Sequence, residues 1–475
     1  MDAGDWYAGS LFDKLGPHSN ASHVPELEFF AAAGYDAVNI GNHDFDSGDV
    51  GLAQMFTKAM QRGIKLDVLS ANLKATSGPM ADFVDNSMLN VSVKPYTMKT
   101  YYSPVPKQRS HHSQPVQSHI LREVRVAVVG LLGPDGALCS NGIRGPVSFV
   151  GFNDIEGRKE QAKLEEFMRN LMPVLREEEQ ADFVVVLLHG GPDEARSLAQ
   201  NVPGIDIISS GHTHESYYLG VQSEAYGTLE ARTTHVVQCG HSGSSISEIR
   251  LYVDKDMGLH LAQTPQCTAV DGSLGEDPHV EQLVHKWKSE LSVVMNHSFT
   301  YDQVVYRGRD GSLFNSSNSH SQHALFVSTL LLSQFNNHLR NLKMPEADIY
   351  LSCPTCVRAR PTVERNGDVI LRFSDVYRML SISTSSDMVV FYMRKENVYN
   401  LLNFVPILGK FLSSKFMITV GGVEFDLNPW GLPFIGYMEN LCLKRADGSC
   451  LPYEEWPSLI RVASSTYVCV TCVSL

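Results

Sequence analysis

The stretch that decides the fold is Gly41-Asn42-His43-Asp44-Phe45-Asp46, which follows the short apolar segment 36–40. The apolar segment predicts a β-strand that delivers this polar turn to the edge of a sheet. Asn42 offers a neutral amide oxygen as a ligand, and the imidazole of His43 can hold or release a proton. Asp46 lies three residues beyond His43 and can orient its ring. Asn-His pairs also occur in ordinary turns, so the motif needs support from the rest of the chain.

The composition describes an ordinary globular protein. The chain has 475 residues, enough for two or three domains, with 43% hydrophobic and 19% charged residues. Its net charge of −13 argues against a bulk electrostatic grip on nucleic acid or anionic lipid. A substrate that carries phosphate would therefore need local positive charge, which bound metal ions can supply. The sequence predicts no membrane span, since no run of about 18 apolar residues occurs.

Nine cysteines do not settle the redox compartment, because the count is odd. We expect Cys139, Cys239 and Cys267 to be isolated buried thiols. Cys442 and Cys450 flank a predicted hairpin turn and could pair across it.

Strands alternate with helices up to about residue 260, which predicts an α/β layered domain. A loop-rich surface excursion is expected over residues 74–121, and its His111-His112 pair is expected to be solvated. The predicted domains are 1–262, a linker with a bridging helix over 263–296, and a second domain over 297–475. The predicted strands are 67–70, 124–132, 182–188, 205–211, 234–239 and 245–253, and the predicted helices are 52–62, 156–179, 193–201 and 277–294.

Four strand ends supply ligand-type side chains, and they are Asp5, Asn42, His189 and the pair His212 and His214. Each has an ordinary alternative as a cap, turn or loop residue. Because α/β folds gather the carboxyl ends of their strands, we expect these side chains to meet at one edge. Carboxylate, amide oxygen and imidazole are ligands of first-row divalent metals. Two such ions about 4 Å apart would clamp a phosphoryl group and activate a water, with His43 protonating the leaving oxygen.

The motifs Gly4-Asp5, Gly41-Asn42-His43-Asp44, His189-Gly190 and Gly211-His212-Thr213-His214 resemble the ordered motifs of calcineurin-like metallophosphoesterases. The added Phe45-Asp46 and the second domain narrow the resemblance to the 5′-nucleotidase family, over residues 1 to 255. The resemblance implies a layered metallophosphoesterase β-sandwich flanked by helices. A second α/β domain of the 5′-nucleotidase C-terminal type, incomplete in this chain, would follow it.

The resemblance also implies roles for single residues. Asp5 would bridge two divalent ions (Zn, Mn, Mg or Co). Asn42, His189 and His212 would complete the coordination of one ion, and His214 would bind the other. His43 and Asp46 would form the catalytic dyad. The substrate would be a nucleotide or related phosphate ester, and the family resemblance suggests a secreted or cell-surface location.

Two departures from the family accompany the resemblance. The family's first motif, an Asp-x-His ligand pair, has no counterpart, and we expect the chain to be clipped at both ends, with any signal peptide missing. In the second domain, Arg358 matches the arginine of the family's nucleotide loop, but Cys353 stands at its asparagine. Arg358 therefore either binds an anion or is a surface charge. Phe425 and Tyr467 are candidates for stacking on a base, and both are also typical core or strand residues.

The leading hypothesis from sequence is a metal-dependent phosphoester hydrolase of the 5′-nucleotidase type. One rival is a degenerate, non-catalytic relative that acts as a binding protein. A second rival keeps the enzyme but changes the substrate to a cyclic phosphodiester or a nucleotide-sugar.

Overall fold

The structure is a computed structural model, and it describes most of the chain. The described residues are 1–17, 19–86, 88–106, 119–140, 143, 145–153, 155–227, 229, 231–253, 259–298, 300–308, 322–352, 362–363, 369–379, 388–411, 419–427, 438–445 and 448–465. They form two compact units. The first unit comprises Met1–Ala8 and Phe12–Val294, and the second comprises Gly9–Leu11 and Met295–Leu475.

The first unit alternates strands and helices along much of its length. Its helices are α1 (Pro25–Ala32), α2 (Gly48–Gln61), α3 (Pro134–Leu138), α4 (Gln161–Pro173), α5 (Pro192–Asn201) and α6 (Pro278–Val294). Its strands are β1 (Val38–Asn39), β2 (Leu66–Leu69), β3 (Leu73–Ala75), β4 (Val91–Lys94), β5 (Tyr96–Pro106), β6 (His119–Leu132), β7 (Val147–Phe149), β8 (Phe152–Asn153), β9 (Arg158–Lys159), β10 (Phe183–His189), β11 (Ile207–Ser210), β12 (Ser216–Gln222), β13 (Thr233–Cys239), β14 (Ser245–Glu248), β15 (Leu251–Val253), β16 (Leu259–Leu261) and β17 (Gln266–Ala269).

Two sheets of the first unit pack face to face. The smaller sheet has the order β1-β2-β4 and is parallel, and the larger has the order β12-β13-β11-β10-β6-β5. Strands β6, β10, β11 and β13 of the larger sheet run parallel. Ala37 and Leu69 from the smaller sheet pack against Val128 and Leu187 from the larger, and all four are fully buried. Helices α4 and α5 cover the other face of the larger sheet with buried leucines and methionines.

The segment predicted as a loop-rich excursion over residues 74–121 contains β4 and β5, so that prediction is wrong for its described part. Val91 and Val93 of β4 are buried, and Ser92 between them is buried as well, so burial does not alternate along this strand. Strand β5 is the edge of the larger sheet and pairs with β6 from Tyr96 to Pro106. An edge strand tolerates polar residues and proline, which is why its sequence lacks an apolar pattern. His111 and His112 lie outside the described residues.

The helix predicted over residues 156–179 is shorter than expected. Residues 158–159 form β9, and α4 ends at Pro173, after which one π-helical turn spans Val174–Glu178. Proline has no backbone N–H to donate, so regular α-helical bonding stops there.

Two of the three cysteines predicted to be isolated thiols are joined. Cys239 at the end of β13 forms a disulfide with Cys267 on β17, with 5.5 Å between their Cα atoms. The two residues are 28 positions apart, and only the return of β17 alongside β14 brings them together. Cys139 is a free, half-buried thiol. The predicted pair Cys442–Cys450 is a disulfide, so that prediction is confirmed.

The second unit also mixes helices and strands. Its helices are α7 (Gln322–Asn341), α8 (Phe373–Met379) and α9 (Lys395–Phe411), and its strands are β18 (Val304–Gly308), β19 (Ile349–Ser352), β20 (Thr362–Val363), β21 (Val369–Arg372), β22 (Met388–Arg394), β23 (Thr419–Gly421), β24 (Val423–Leu427), β25 (Met438–Lys444), β26 (Cys450–Pro452) and β27 (Leu459–Ser465). A four-stranded sheet with the order β22-β27-β19-β23 carries its main core, where Ile349, Ile460 and Val462 pack against Val398 of α9.

Helix α6 forms hydrogen bonds with residues 22 and 28 near the start of the first unit. The indole N–H of Trp287 donates to Glu28 Oε2 at 2.9 Å, and the backbone N–H of Ser22 donates to Glu290 Oε1 at 2.7 Å. Glu28 is buried and also pairs with Arg62 and with His23. The helix predicted as a bridge between domains is therefore held by one buried and one exposed polar contact within the first unit.

Among the helices that the structure describes, none combines the length and the apolar character needed to cross a membrane.

The two sheets approach each other closely at Gly130 of β6. A Cβ there would lie 2.5 Å from Asn39 Oδ1 and 2.6 Å from Leu69 Cβ. We therefore expect Gly130→Ala to destabilise the first unit by about 1–3 kcal/mol through overpacking. The matched control is Gly272→Ala, since a Cβ at Gly272 meets no atom within 4 Å. Thermal unfolding monitored by circular dichroism measures both, and equal midpoints would contradict the sheet contact.

Glu26 of α1 gives a pH-dependent prediction. Burial, followed by the charge of Asp13, raises the pKa of Glu26 from 4.5 to about 8, and its Oε2 has no hydrogen-bond partner among the described residues. Between these two pH values the folded chain binds more protons than the unfolded chain, so stability falls as pH rises from 4.5 to 8. Glu26→Gln should remove about 2 kcal/mol or more of this loss, measured by denaturant unfolding at about pH 5 and about pH 8. Glu166→Gln on the exposed side of α4 is the control, and parallel pH profiles for wild type and Glu26→Gln would refute the prediction.

Candidate metal centre

The first residues of the chain run beside β1 and bring Asp5 to the edge of the smaller sheet. Asp2 forms a parallel bridge with Val38, its N–H donates to Ala37 O, and its own carbonyl accepts the N–H of Asn39. Asp5 follows in the left-handed region with φ +65°. A non-glycine residue in that region costs about 1–3 kcal/mol and persists only where its surroundings fix it.

Asp44 is the residue that fixes this loop. Its Oδ2 accepts the backbone N–H groups of Gly41 at 2.7 Å and of Asp5 at 3.2 Å, and its Oδ1 accepts that of Tyr7 at 2.8 Å. Only 1% of Asp44 is exposed. The sequence motif contains Asp44, but sequence reasoning assigned it no role, because backbone contacts across 37 to 39 residues are not visible in a pattern.

Four predicted ligands converge where β1, β10 and β11 end. Asn42 Oδ1 lies 3.0 Å from His189 Nε2 and 3.1 Å from His212 Nδ1. His189 Nε2 also lies 3.1 Å from Asp5 Oδ2. The donor atoms of Asp5, His189 and His212 are all within 4.8 Å of one another. His189 and Asn42 are buried, at 1% and 2% exposed.

The orientation of His189 follows from its other nitrogen. Its Nδ1 lies 3.0 Å from the carbonyl oxygen of Ala3, which can only accept. The Nδ1 proton is therefore assigned to that bond, and in the neutral ring the lone pair is on Nε2, beside the oxygen atoms of Asn42 and Asp5. Sequence reasoning missed the carbonyl of Ala3, because a backbone acceptor leaves no signal in residue types.

A carboxylate lies next to His212. Its Nδ1 faces Asn42, and its Nε2 lies 3.5 Å from Asp135 Oδ2. The hydrogen bond from His212 and the neighbouring Lys159 hold the pKa of Asp135 well below its usual range. Sequence reasoning missed Asp135. Its position in the first turn of α3, directly after β6, is the signal that could have revealed it.

The charges at the centre depend on one another. Burial alone would raise the pKa of Asp5, but the imidazoles of His189 and His43 outweigh it and lower that pKa. Burial alone would lower the pKa of His189, but the Asp5 carboxylate raises it. A proton on His189 thus balances the convergent oxygen atoms. A cation competes with such a proton for the same lone pairs.

This donor set fits a divalent metal ion. One carboxylate oxygen, one amide oxygen and two imidazole nitrogens are the mixed N/O ligands that suit Zn, Mn, Fe or Co. The backbone leaves room for them, since a Cβ at Gly41 would overlap with Asp5 Oδ1, and one at Gly4 would lie 2.6 Å from Gly41 N.

The predicted dyad lies beside these ligands. His43 Nδ1 is 2.8 Å from Asp46 Oδ2, and both side chains are nearly buried, at 12% and 5% exposed. The backbone N–H of His43 donates to Asp5 Oδ1 at 2.8 Å. The Asp5 carboxylate therefore contacts both the backbone of His43 and the convergent residue His189.

His214 stands apart from the four convergent residues. His214 is exposed, has φ +61°, and stacks on His241 with 4.6 Å between ring centroids. It is not among the convergent donor groups of the described residues. Arg358 and Tyr467 lie outside the described residues, and Phe425 packs against the main core of the second unit.

The chain is similar to nucleotide-hydrolysing proteins. It is 26% identical over 317 residues to the trifunctional nucleotide phosphoesterase protein YfkN of Bacillus subtilis (strain 168), which covers 65% of this chain and 20% of that protein. It is 25% identical over 301 residues to the 5′-nucleotidase of Bos taurus, which covers 61% of this chain and 44% of that protein. The chain thus spans less than half the length of these two curated relatives. No protein-family model matches it.

A solved structure shows the same fold. The 5′-nucleotidase precursor from Thermus thermophilus aligns with a TM-score of 0.64 at 18% identity, covering 100% of this chain and 82% of that chain. The predicted architecture, a layered α/β domain followed by a second α/β domain, is confirmed by this likeness.

The close approach of two loops at Gly41 can be tested directly. Because a Cβ there would overlap with Asp5 Oδ1 and lie 2.9 Å from Asp5 Cγ, Gly41→Ala should displace the carboxylate. We expect binding of Mn²⁺ to weaken at least about 10-fold, as loss of ligand orientation typically does. Isothermal titration calorimetry measures it, with Gly275→Ala as the control because a Cβ at Gly275 meets no atom within 4 Å. Wild-type affinity in a folded Gly41→Ala protein would show that Asp5 is not a ligand.

Proposed function

We propose that this chain, a relative of the 5′-nucleotidase-type metallophosphoesterases, is a metal-dependent phosphoester hydrolase. The observation that carries the proposal is the convergence of Asp5, Asn42, His189 and His212 beside the oriented pair His43 and Asp46. The lone pairs of the four convergent residues point toward one another and would be stabilised by a bound cation. The imidazole of His43, which lies beside them, could donate or accept a proton. Together these groups suit the hydrolysis of a phosphate ester.

The four convergent residues would hold one divalent ion. A divalent ion bound there would offset the charge of a phosphate group and lower the pKa of a bound water toward neutrality. Asp5 would keep its orientation through the N–H of His43 and the clamp of Asp44. A second ion that shares Asp5 and uses His214 remains a prediction from the family resemblance.

His43 would act on the substrate. Because Asp46 accepts from Nδ1, the ring is held with Nε2 as the nitrogen that addresses the substrate. Protonated His43 would give its Nε2 proton to the oxygen that leaves phosphorus, and Asp46 would stabilise the imidazolium before that transfer. No nucleophilic side chain is required, since water is the attacking group.

The substrate we propose is a nucleotide or a related phosphate ester. The relatives' names, nucleotide phosphoesterase and 5′-nucleotidase, support this class. Arg358 as an anion-binding residue remains a prediction. A cyclic phosphodiester or a nucleotide-sugar stays the alternative substrate, and a panel of AMP, UDP-glucose and 2′,3′-cyclic AMP separates them.

We also propose that the chain works outside the reducing cytoplasm. The disulfides Cys239–Cys267 and Cys442–Cys450 support this location, because such bonds persist in oxidising compartments.

The proposal is tested by His43→Ala. We expect kcat for AMP hydrolysis with added Mn²⁺ to fall about 10²–10⁴-fold, the usual contribution of a general acid, with Mn²⁺ affinity unchanged. His285→Ala, which removes an exposed histidine of α6, should retain full activity.

Two outcomes would count against the proposal. Unchanged turnover in His43→Ala would remove His43 from the mechanism. Wild-type protein that binds nucleotide but no Mn²⁺ would instead support the degenerate, non-catalytic binding protein.

A further inference from the structure

Asp135 and Glu194 lie next to each other near the ends of β6 and β10, and Asp135 faces the side of His212 that is turned away from Asn42. Asp135 lies in the first turn of α3, and its Oδ2 is 3.5 Å from His212 Nε2. Its backbone N–H donates to Glu194 Oε1 at 2.8 Å, and its side chain forms an ion pair with Lys159. Asp135 is thus held through its main chain while its Oδ2 faces His212, and Lys159 contacts the other carboxylate oxygen, Oδ1.

Two glycines make room for the side chain of Glu194. A Cβ at Gly133 or at Gly190 would overlap with Glu194 Oε2, so only glycine allows the Glu194 side chain to lie between the two strand ends. Gly190 directly follows His189 on β10, and Gly133 directly follows β6. The end of β10 therefore carries the proposed ligand His189, and the ends of β6 and β10 together leave space for Glu194, which accepts the N–H of Asp135.

We propose that Asp135 is a positioning residue for the metal centre. It accepts the Nε2–H of His212 and competes with the amide oxygen of Asn42 for the single proton of the neutral ring, so that the lone pair stays on Nδ1, on the side where the other ligands converge. A carboxylate on the far nitrogen also makes an imidazole a stronger ligand. This inference rests on the proposed function only in taking His212 as a ligand.

The competing explanation is that Asp135 serves only its ion pair with Lys159. The side chain of Asp135 is 34% exposed and that of Lys159 is 46% exposed, so the pair by itself contributes little stability. The two explanations differ in what they predict for His212. Loss of Lys159 should leave His212 unchanged, whereas loss of Asp135 should free its ring to adopt either tautomer.

The first experiment titrates the whole chain with Co²⁺ and follows its visible absorption. We expect Asp135→Ala to weaken the tightest Co²⁺ site about 10-fold or more, with Asp135→Asn in between because its amide oxygen still accepts. Lys159→Met tests the ion pair, and Asp193→Asn removes one charge from the exposed start of α5; both should bind as wild type. In a His212→Ala background, Asp135→Ala should have no further effect.

The second experiment needs no metal. ¹⁵N-histidine NMR of the metal-free chain, with the His212 signals assigned from His212→Ala, reports the tautomer of the ring. We expect Nε2–H in wild type and in Lys159→Met, and a shift toward a mixture of tautomers in Asp135→Ala.

The inference requires both results. An unchanged tautomer in folded Asp135→Ala overturns it, and so does wild-type Co²⁺ affinity in that variant. If the wild-type chain binds no Co²⁺, the proposed function fails, and the tautomer measurement alone then decides whether Asp135 positions His212.

Discussion

The carboxylate of Asp44 is the constraint on which the candidate centre depends. It accepts three backbone N–H groups from two loops that are distant in sequence, and it is almost completely buried. Those bonds hold Asp5 at a positive φ, where an aspartate is otherwise strained, and place its side chain against the turn at Gly41. Without them the Asp5 loop would relax, and both the convergent ligands and the dyad would lose the carboxylate that they share.

The loops meet there because the sheets bring them together. Strand β1 ends on the smaller sheet and strands β6, β10 and β11 end on the larger, and close packing between the sheets aligns the two edges. The register of β10 against its neighbours then sets His189 next to the residues that follow β11. Core packing and site geometry are therefore one requirement, since a shift between the sheets would separate Asn42 from His189 and His212.

The sequence predicted the parts of this arrangement that depend on residue type and strand position. Buried strands show as apolar runs, and ligand-type residues directly after them point to one edge. The pattern failed where tertiary contacts decide: β5 is a polar edge strand, and Cys239 meets Cys267 only after β17 folds back. The pattern assigned His214 to a second ion, and in the structure its ring stacks on His241. A spacing of two residues cannot show that both His212 and His214 adopt positive φ.

The hydrogen-bond acceptor that faces each of the three histidines differs with the burial and the proposed role of that histidine. His189 is the most buried and rests on the neutral carbonyl of Ala3, because a further buried charge would cost desolvation energy. His212 is nearer the surface and faces Asp135, whose charge is partly solvated and paired with Lys159. His43 faces the carboxylate of Asp46, and in the proposed mechanism this is the ring that transfers a proton to the substrate. In the proposed mechanism the acceptor on each ring thus matches the role of that ring, and two of the three acceptors lie outside the motifs that carry the proposed ligands.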